Sequence, residues 1–271
     1  MMHERRLYAH RGASAERPEN TMPAFERAVE IGVDALEMDV HLTRDEQLIV
    51  AHDDTAARTC GARVAWADLD LADALRLDAG WGFIAGDGTR PFAGKSIAVP
   101  VFERVLEAFP GMRINVDIKG DRAVELMLAL IREQRADDRV TLASFQLRTL
   151  VRVRRHGYGG ETALSQGEVA TLLGLPAMLW RQLPFTGTAA QVPVRAGRIH
   201  FDRPAFIAKC HSIGLRVDFW TVDDRDEAAR LLGLGADGIM TNDPSAVRSL
   251  FDAPRSPVPA PPAAVGQLRS S

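Results

Sequence analysis

The chain has 271 residues, 46% of them hydrophobic, which is enough to bury the core of one large α/β domain or two small ones. A formal net charge of −3 lacks the basic surplus of a nucleic-acid-binding protein, so no such partner is expected. Cys60 and Cys210 stand far apart, make no metal-type spacing and read as reduced thiols.

The N-terminal M-M-H-E-R-R-L-Y-A-H-R-G carries basic residues with no apolar run behind them, so no secretory signal is expected and the protein is expected to be cytoplasmic. Leu7 to Arg11 is the first strand candidate. P-E-N-T follows from Pro18, where Asn20 or Thr21 is placed to N-cap a helix from Pro23 to Gly32, with Pro23 in its first turn and Gly32 at its stop. In the second strand, Ala35 to Leu42, Leu36, Met38 and Val40 alternate with Glu37, Asp39 and His41. Gln47 to Asp53 reads as a short extension of it. Residues 54–98 are irregular and Gly-rich around Trp81. They read as an insertion, either at the active-site face or as a plain surface excursion, with Trp81 and Phe83 walling a site or packing the insertion.

A helix from Val101 is closed by Pro110. Then strands and helices alternate: Arg113 to Ile118, Ala123 to Gln134, Val140 to Phe145, Leu147 to Arg155, Glu161 to Leu164. The apolar run from Thr171 to Trp180 is broken by Gly174 and Pro176 and falls short of the ~20 residues of a membrane span. Its part from Leu172 to Trp180 reads as a buried helix, with contact to a lipid chain as the alternative. Gln191 to Val194, Pro204 to Ser212, Leu215 to Val222, Asp224 to Leu232 and Asp237 to Thr241 complete the alternation. A last helix follows Asn242, with Asp243 as N-cap and Pro244 in its first position. From residue 253 the chain turns Pro/Ala-rich without periodicity, so a folded domain is expected over 1–252 and a disordered tail over 253–271.

Eight strands alternating with helices predict an α/β fold, a (β/α)8 TIM barrel with a short insertion after strand two. A doubly wound open sheet is the competing architecture. In a barrel the residues at C-terminal strand ends meet in one mouth. Here those are His10, Arg11, Glu37, Asp39, Asp117, Lys119 and Trp220, with His52 on the extension. Glu37, Asp39 and Asp117 either hold a hard divalent cation, Mg2+ or Ca2+, or pair with Arg11 and Lys119. Arg11 offers a planar fork to a phosphate and Lys119 a point charge, unless both serve as structural ion pairs. Two imidazoles, His10 and His52, suit a displacement at phosphorus that takes one proton and gives another. His41 shares the face of Asp39 but is expected to be structural.

Three blocks, A-H-R-G-A-S-A-E-R-P-E-N-T-M-P-A-F, G-V-D-A-L-E-M-D-V-H-L-T-R-D and L-I-V-A-H-D-D-T, together resemble the glycerophosphodiester phosphodiesterase family. The resemblance continues through N-V-D-I-K, A-S-F, Q-V-P, F-W-T-V-D and A-D-G-I-M-T-N-D-P, over residues 7 to 252. It implies a (β/α)8 barrel and metal-dependent hydrolysis of glycerophosphodiesters to sn-glycerol 3-phosphate and an alcohol. His10 and His52 then look like the acid/base pair, Glu37 and Asp39 like metal ligands, Arg11 and Lys119 like phosphate contacts, and Trp220 like a wall of the substrate site. The glycerol 2-hydroxyl is expected to attack phosphorus, giving a cyclic phosphate that water opens. Two residues depart from the pattern: Asp117 stands where the family usually has Glu, and Asp223 where it often has Asn. Alternative readings are a lysophospholipase D, a lyase stopping at the cyclic phosphate, and a non-catalytic phosphodiester-binding module. The oligomeric state is not legible.

Overall fold

The computed structural model describes residues 3–175, 179 and 187–252. Period-two alternation builds eight parallel strands: β1 Arg6–His10, β2 Ala35–Leu42, β4 Arg113–Ile118, β5 Val140–Ala143, β6 Glu161–Thr162, β7 Ala189–Pro193, β10 Arg216–Trp220 and β11 Gly238–Thr241. They lie in the order β6-β5-β4-β2-β1-β11-β10-β7. A parallel bridge between Ala163 and Ala189, with the Thr188 N–H donating to Thr162 O, brings β7 back to β6. The ring is therefore a barrel, and the open-sheet alternative falls. The expected strands are all present, with ends shifted by a few residues.

Both faces of this sheet are covered. Leu7, Ala9, Leu36, Met38 and Val40 point outward and pack with Phe25, Phe102 and Val105 of the surrounding helices. Their neighbours point inward, where the interior is layered. At the N-terminal ends Arg6, Glu161, Arg216, Asp218 and Tyr8 form an ion and hydrogen-bond network. A small apolar layer of Tyr8, Ala35 and Met240, with Trp220 against it, separates that network from the opposite mouth. The hydrophobic force that folds the chain acts mostly between sheet and helices, which leaves the mouth free to be polar.

Helix Met22–Ile31 begins and ends where its sequence signals stand, with Pro23 in its first turn and Gly32 in the left-handed conformation (φ 84°) at its C-cap. The N-cap assignment needs correction. Thr21 occupies the N-cap position, but its hydroxyl donates to Pro18 O, and the Asn20 amide donates to Asp39 Oδ2 instead. Helix Pro244–Val247 behaves as expected, Asp243 accepting from the Ala246 N–H. Helix Gln166–Gly174 opens with a capping box between Ser165 and Glu168. It covers the start of the apolar run from Thr171. The run's end at Trp180, like the 253–271 tail, lies outside the described residues.

Strand β3, Leu48–Val50, pairs antiparallel with β2 and leads into the insertion. Ala56, Trp66, Ala74 and Ala79 of that segment form a small separate core with Ile49, Ala51 and Val99, which flank it. Trp81 and Phe83 belong to its packing: Arg90 lies over the Trp81 ring and Phe83 meets Phe92 edge-on. After β7, a hairpin of β8 Arg195–Ala196 and β9 Ile199–His200 was not expected; four residues in strand pairing, turned at Gly197, are too short for a periodicity signal.

Candidate active site

Strand register sets the site. His10 lies opposite Glu37 across β1 and β2, and Asp39 lies opposite Asp117 across β2 and β4. The C-terminal ends of these strands open on a cavity of about 330 Å³, lined by every predicted site residue: His10, Arg11, Glu37, Asp39, His52, Asp117, Lys119 and Trp220. His41 does not line it; its Nε2 lies 3.1 Å from His52 O and so holds the backbone of that histidine.

The turn after β1 is strained in a useful way. Arg11 and Gly12 are both left-handed, at φ 56° and 81°. A Cβ on Gly12 would meet Ala24 at 2.7 Å, so only glycine fits there. The turn aims the Arg11 backbone N–H at Glu37 Oε2, 3.0 Å away, while Arg11 Nη1 donates to Glu19 Oε1 at 3.0 Å and Nε stands 3.4 Å from Asp39. Lys119 Nζ bridges Asp39 Oδ1 and Asp117 Oδ2, 2.7 Å from each. Both cations therefore pair with carboxylates.

The charges do not balance locally. Glu37, Asp39 and Asp117 are buried, and among the described residues Arg11 and Lys119 are the permanent cations paired with them, while the His10 ring stands 3.9 Å from Glu37. Burial opposes ionisation of Asp39, yet Lys119 and Arg11 outweigh it and hold the carboxyl below its usual range. Burial pushes Asp117 up despite Lys119. Glu37 is left worst compensated, its carboxyl pushed well above the ordinary value by burial and then by the charge of Asp39. Among the described residues no three His, Cys, Asp or Glu side chains already converge tightly enough to hold a metal. The donor set nevertheless fits one: hard carboxylate oxygens, one positive charge short, at a mouth open to solvent.

Each histidine is oriented by a partner that the sequence did not single out. His52 Nδ1 sits 2.7 Å from Asp53 Oδ1, and the residue lines the cavity. Arg58, from within the insertion, clamps Asp53 at 2.8 Å and Glu19 at 2.5 and 2.8 Å. That places the insertion at the site, not on an idle surface. The paired charge of Arg58 holds the Asp53 carboxyl down to about 2. His10 Nδ1 lies 2.8 Å from Asn242 Oδ1; burial, then the charge of Arg11, lowers the ring from its usual value.

The far wall is of a different kind. Phe145, Leu164, Val169, Val192, Phe201 and Trp220 line it, with Phe145 edge-on to Trp220 at 5.7 Å. Between the two walls Gln191 Nε2 donates to Asn115 Oδ1 at 2.8 Å. Asn115 was findable: it precedes Asp117 by two on one strand face. Glu19, Arg58 and Asn242 had no such signal: Glu19 and Asn242 stand on connecting turns, and Arg58 comes from the short helix Ala57–Cys60 within the insertion.

The glycerophosphoryl diester phosphodiesterase family model matches residues 10–246. Among similar proteins, one from Mycobacterium tuberculosis named "Probable glycerophosphodiester phosphodiesterase 2" is 33% identical over 250 residues, 90% of this chain and 89% of that protein. Lysophospholipase D GDPD1 of Homo sapiens is 28% identical over 279 residues, covering 90% of this chain and 85% of its own. An Oleispira antarctica phosphodiesterase, solved with its product sn-glycerol-3-phosphate, superposes with a TM-score of 0.77 at 20% identity, covering 92% of this chain and 97% of its own.

Proposed function

From the premise that the chain belongs to the glycerophosphoryl diester phosphodiesterase family, we propose how its cavity works. The protein is an enzyme, a glycerophosphodiester phosphodiesterase that hydrolyses glycerophosphodiesters to sn-glycerol 3-phosphate and an alcohol. The observation that carries our reading of the residues is the meeting of two imidazoles, two cations and three buried carboxylates at one barrel mouth.

In this reading His10 and His52 share the proton work. One ring takes the proton of the attacking hydroxyl and the other gives one to the departing oxygen; in the second step, with water as nucleophile, they exchange tasks. Each ring has Nδ1 engaged, by Asn242 and Asp53, so Nε2 is the working nitrogen in both. Arg11 and Lys119 draw the phosphate oxygens in and answer the charge that grows on them. Glu37, Asp39 and Asp117 would hold a divalent cation. When bound, that cation supplies positive charge against the phosphate oxygens; all-oxygen ligands favour Mg2+ or Ca2+ over softer metals. Asp117, already touching Lys119, reaches less far than a glutamate would. Trp220, part of the apolar wall, bounds the substrate.

The apolar wall supports a second reading of the alcohol. Among the described residues, Phe145, Leu164, Val169, Val192, Phe201 and Trp220 give this wall an apolar lining, which suits hydrocarbon better than a charged headgroup and favours a lysophospholipid. The test is release of glycerol 3-phosphate from glycerophosphocholine, glycerophosphoethanolamine and lysophosphatidylcholine with Mg2+, Ca2+ or chelator. We expect turnover with metal and loss on chelation. Full activity in chelator would remove the cation from the scheme. No turnover of any diester would leave a binding module.

A further inference from the structure

Asp223 lies at the exposed end of the chain that follows β10, and it never touches the cavity. Its carboxylate is nevertheless fully engaged. Oδ1 accepts from the Asn242 backbone N–H at 2.7 Å and from Thr241 Oγ1 at 3.0 Å, while Oδ2 accepts from Asn242 Nδ2 at 2.8 Å. A carboxylate only accepts, so the amide nitrogen of Asn242 must face it. The amide oxygen is thereby turned to the other side. There Oδ1 lies 2.8 Å from His10 Nδ1 and 2.9 Å from Ser14 Oγ, whose single hydrogen is shared between it and His10 O. An amide oxygen also only accepts, so the proton of this contact sits on His10 Nδ1. In the neutral ring Nε2 is then the bare acceptor, and it is the nitrogen on the side of Glu37, 3.9 Å from Oε2.

We propose that Asp223 is a positioning residue: by fixing which way the Asn242 amide points, it sets the tautomer of His10 and makes Nε2 the proton acceptor at the cavity. The device works at one remove because an isolated Asn amide has no preferred direction. Turned over, it would offer an N–H to His10 Nδ1 and place the proton on Nε2, the wrong nitrogen for a base. His52 needs no such intermediary, since Asp53 touches its ring directly. The proposal rests on the reading of His10 as one of the proton-transfer pair.

Asp223→Asn is the discriminating variant. It keeps size and shape but replaces one acceptor oxygen by a donor, so the amide of Asn242 can turn over. The direct readout is long-range proton–nitrogen NMR on histidine-labelled protein at mildly alkaline pH, with the His10 signals assigned by their loss in His10→Gln. We expect the Nδ1–H tautomer in the native chain and a swapped or mixed tautomer in Asp223→Asn. Turnover should fall by roughly 10- to 100-fold, as for other residues that orient a working ligand or base, with KM little changed. An Nε2–H tautomer in the native chain overturns the proposal without any variant, and so does an unchanged tautomer in Asp223→Asn. A swapped tautomer with undiminished turnover upholds the relay and instead removes His10 from the proton-transfer pair.

Discussion

At the scale of single residues the site is a problem in charge. Two cations stand among three buried carboxylates, and Glu37 carries the deficit. Glu37→Gln removes that uncompensated charge while keeping the acceptor for the Arg11 N–H. We expect the variant to melt higher than the native chain in chelator and to lose most of the stabilisation that Mg2+ or Ca2+ gives the native protein. Equal metal-induced shifts in the two proteins would take Glu37 out of the cation site. The histidines are tested separately. His10→Ala and His52→Ala should each lower turnover by about 10²–10⁴-fold with folding intact, the usual share of general acid–base catalysis. Near-native rates would return both rings to a structural role.

At the scale of elements, two connections do the positioning. The turn after β1 works only because Gly12 accepts φ 81° beside Ala24. Gly12→Ala forces a side chain into the left-handed region and a 2.7 Å contact, so we expect a loss of at least about 1–2 kcal/mol in urea unfolding, with turnover falling as Arg11 is displaced. The insertion is the second. Trp66 fills its small core, fully buried, and its Nε1 donates to Asp53 O at 2.8 Å, which ties the insertion to the carboxylate that orients His52. Trp66→Ala should cost about 3–5 kcal/mol in packing if the insertion unfolds with the barrel. A native unfolding midpoint combined with lost turnover would show instead that the insertion comes apart on its own.

At the scale of the whole molecule the barrel interior is polar at both ends. The end away from the site is held by Glu161, which accepts from Arg6 at 2.8 and 3.1 Å and from Arg216 at 3.2 Å. Burial alone would raise the Glu161 carboxyl; the bond from Arg6 and the charge of Arg216 outweigh it and bring it to about 2. The folded value lies below the unfolded one, so this contribution is complete above the ordinary glutamate range near pH ~4.3 and disappears as pH falls towards about 2. The native chain should therefore lose melting temperature through that window more steeply than Glu161→Gln, in a titration followed by circular dichroism. Parallel acid limbs would mean the network contributes no net pH-dependent stability.

Strand positions and much of the site were legible because both follow from local periodicity. Alternation marks which residues share a face, and the end of a parallel strand marks where they converge. Glu37, Asp39 and Asp117 could thus be set beside His10 and Lys119 before any fold was known. Contacts between segments far apart in the chain were not legible. Arg58 reaches Glu19 across 39 residues and Asn242 reaches His10 across 232, separations at which no pattern in the chain constrains geometry. The Thr21 hydroxyl shows the same limit, since a competing acceptor, Pro18 O, took it from the cap position. The chain alone determined that two imidazoles, two cations and three carboxylates meet at the mouth. Tertiary structure alone decided how those groups are charged, paired and turned, because burial, a neighbour's carboxylate and the direction of one amide are properties of the closed barrel and not of any segment of it.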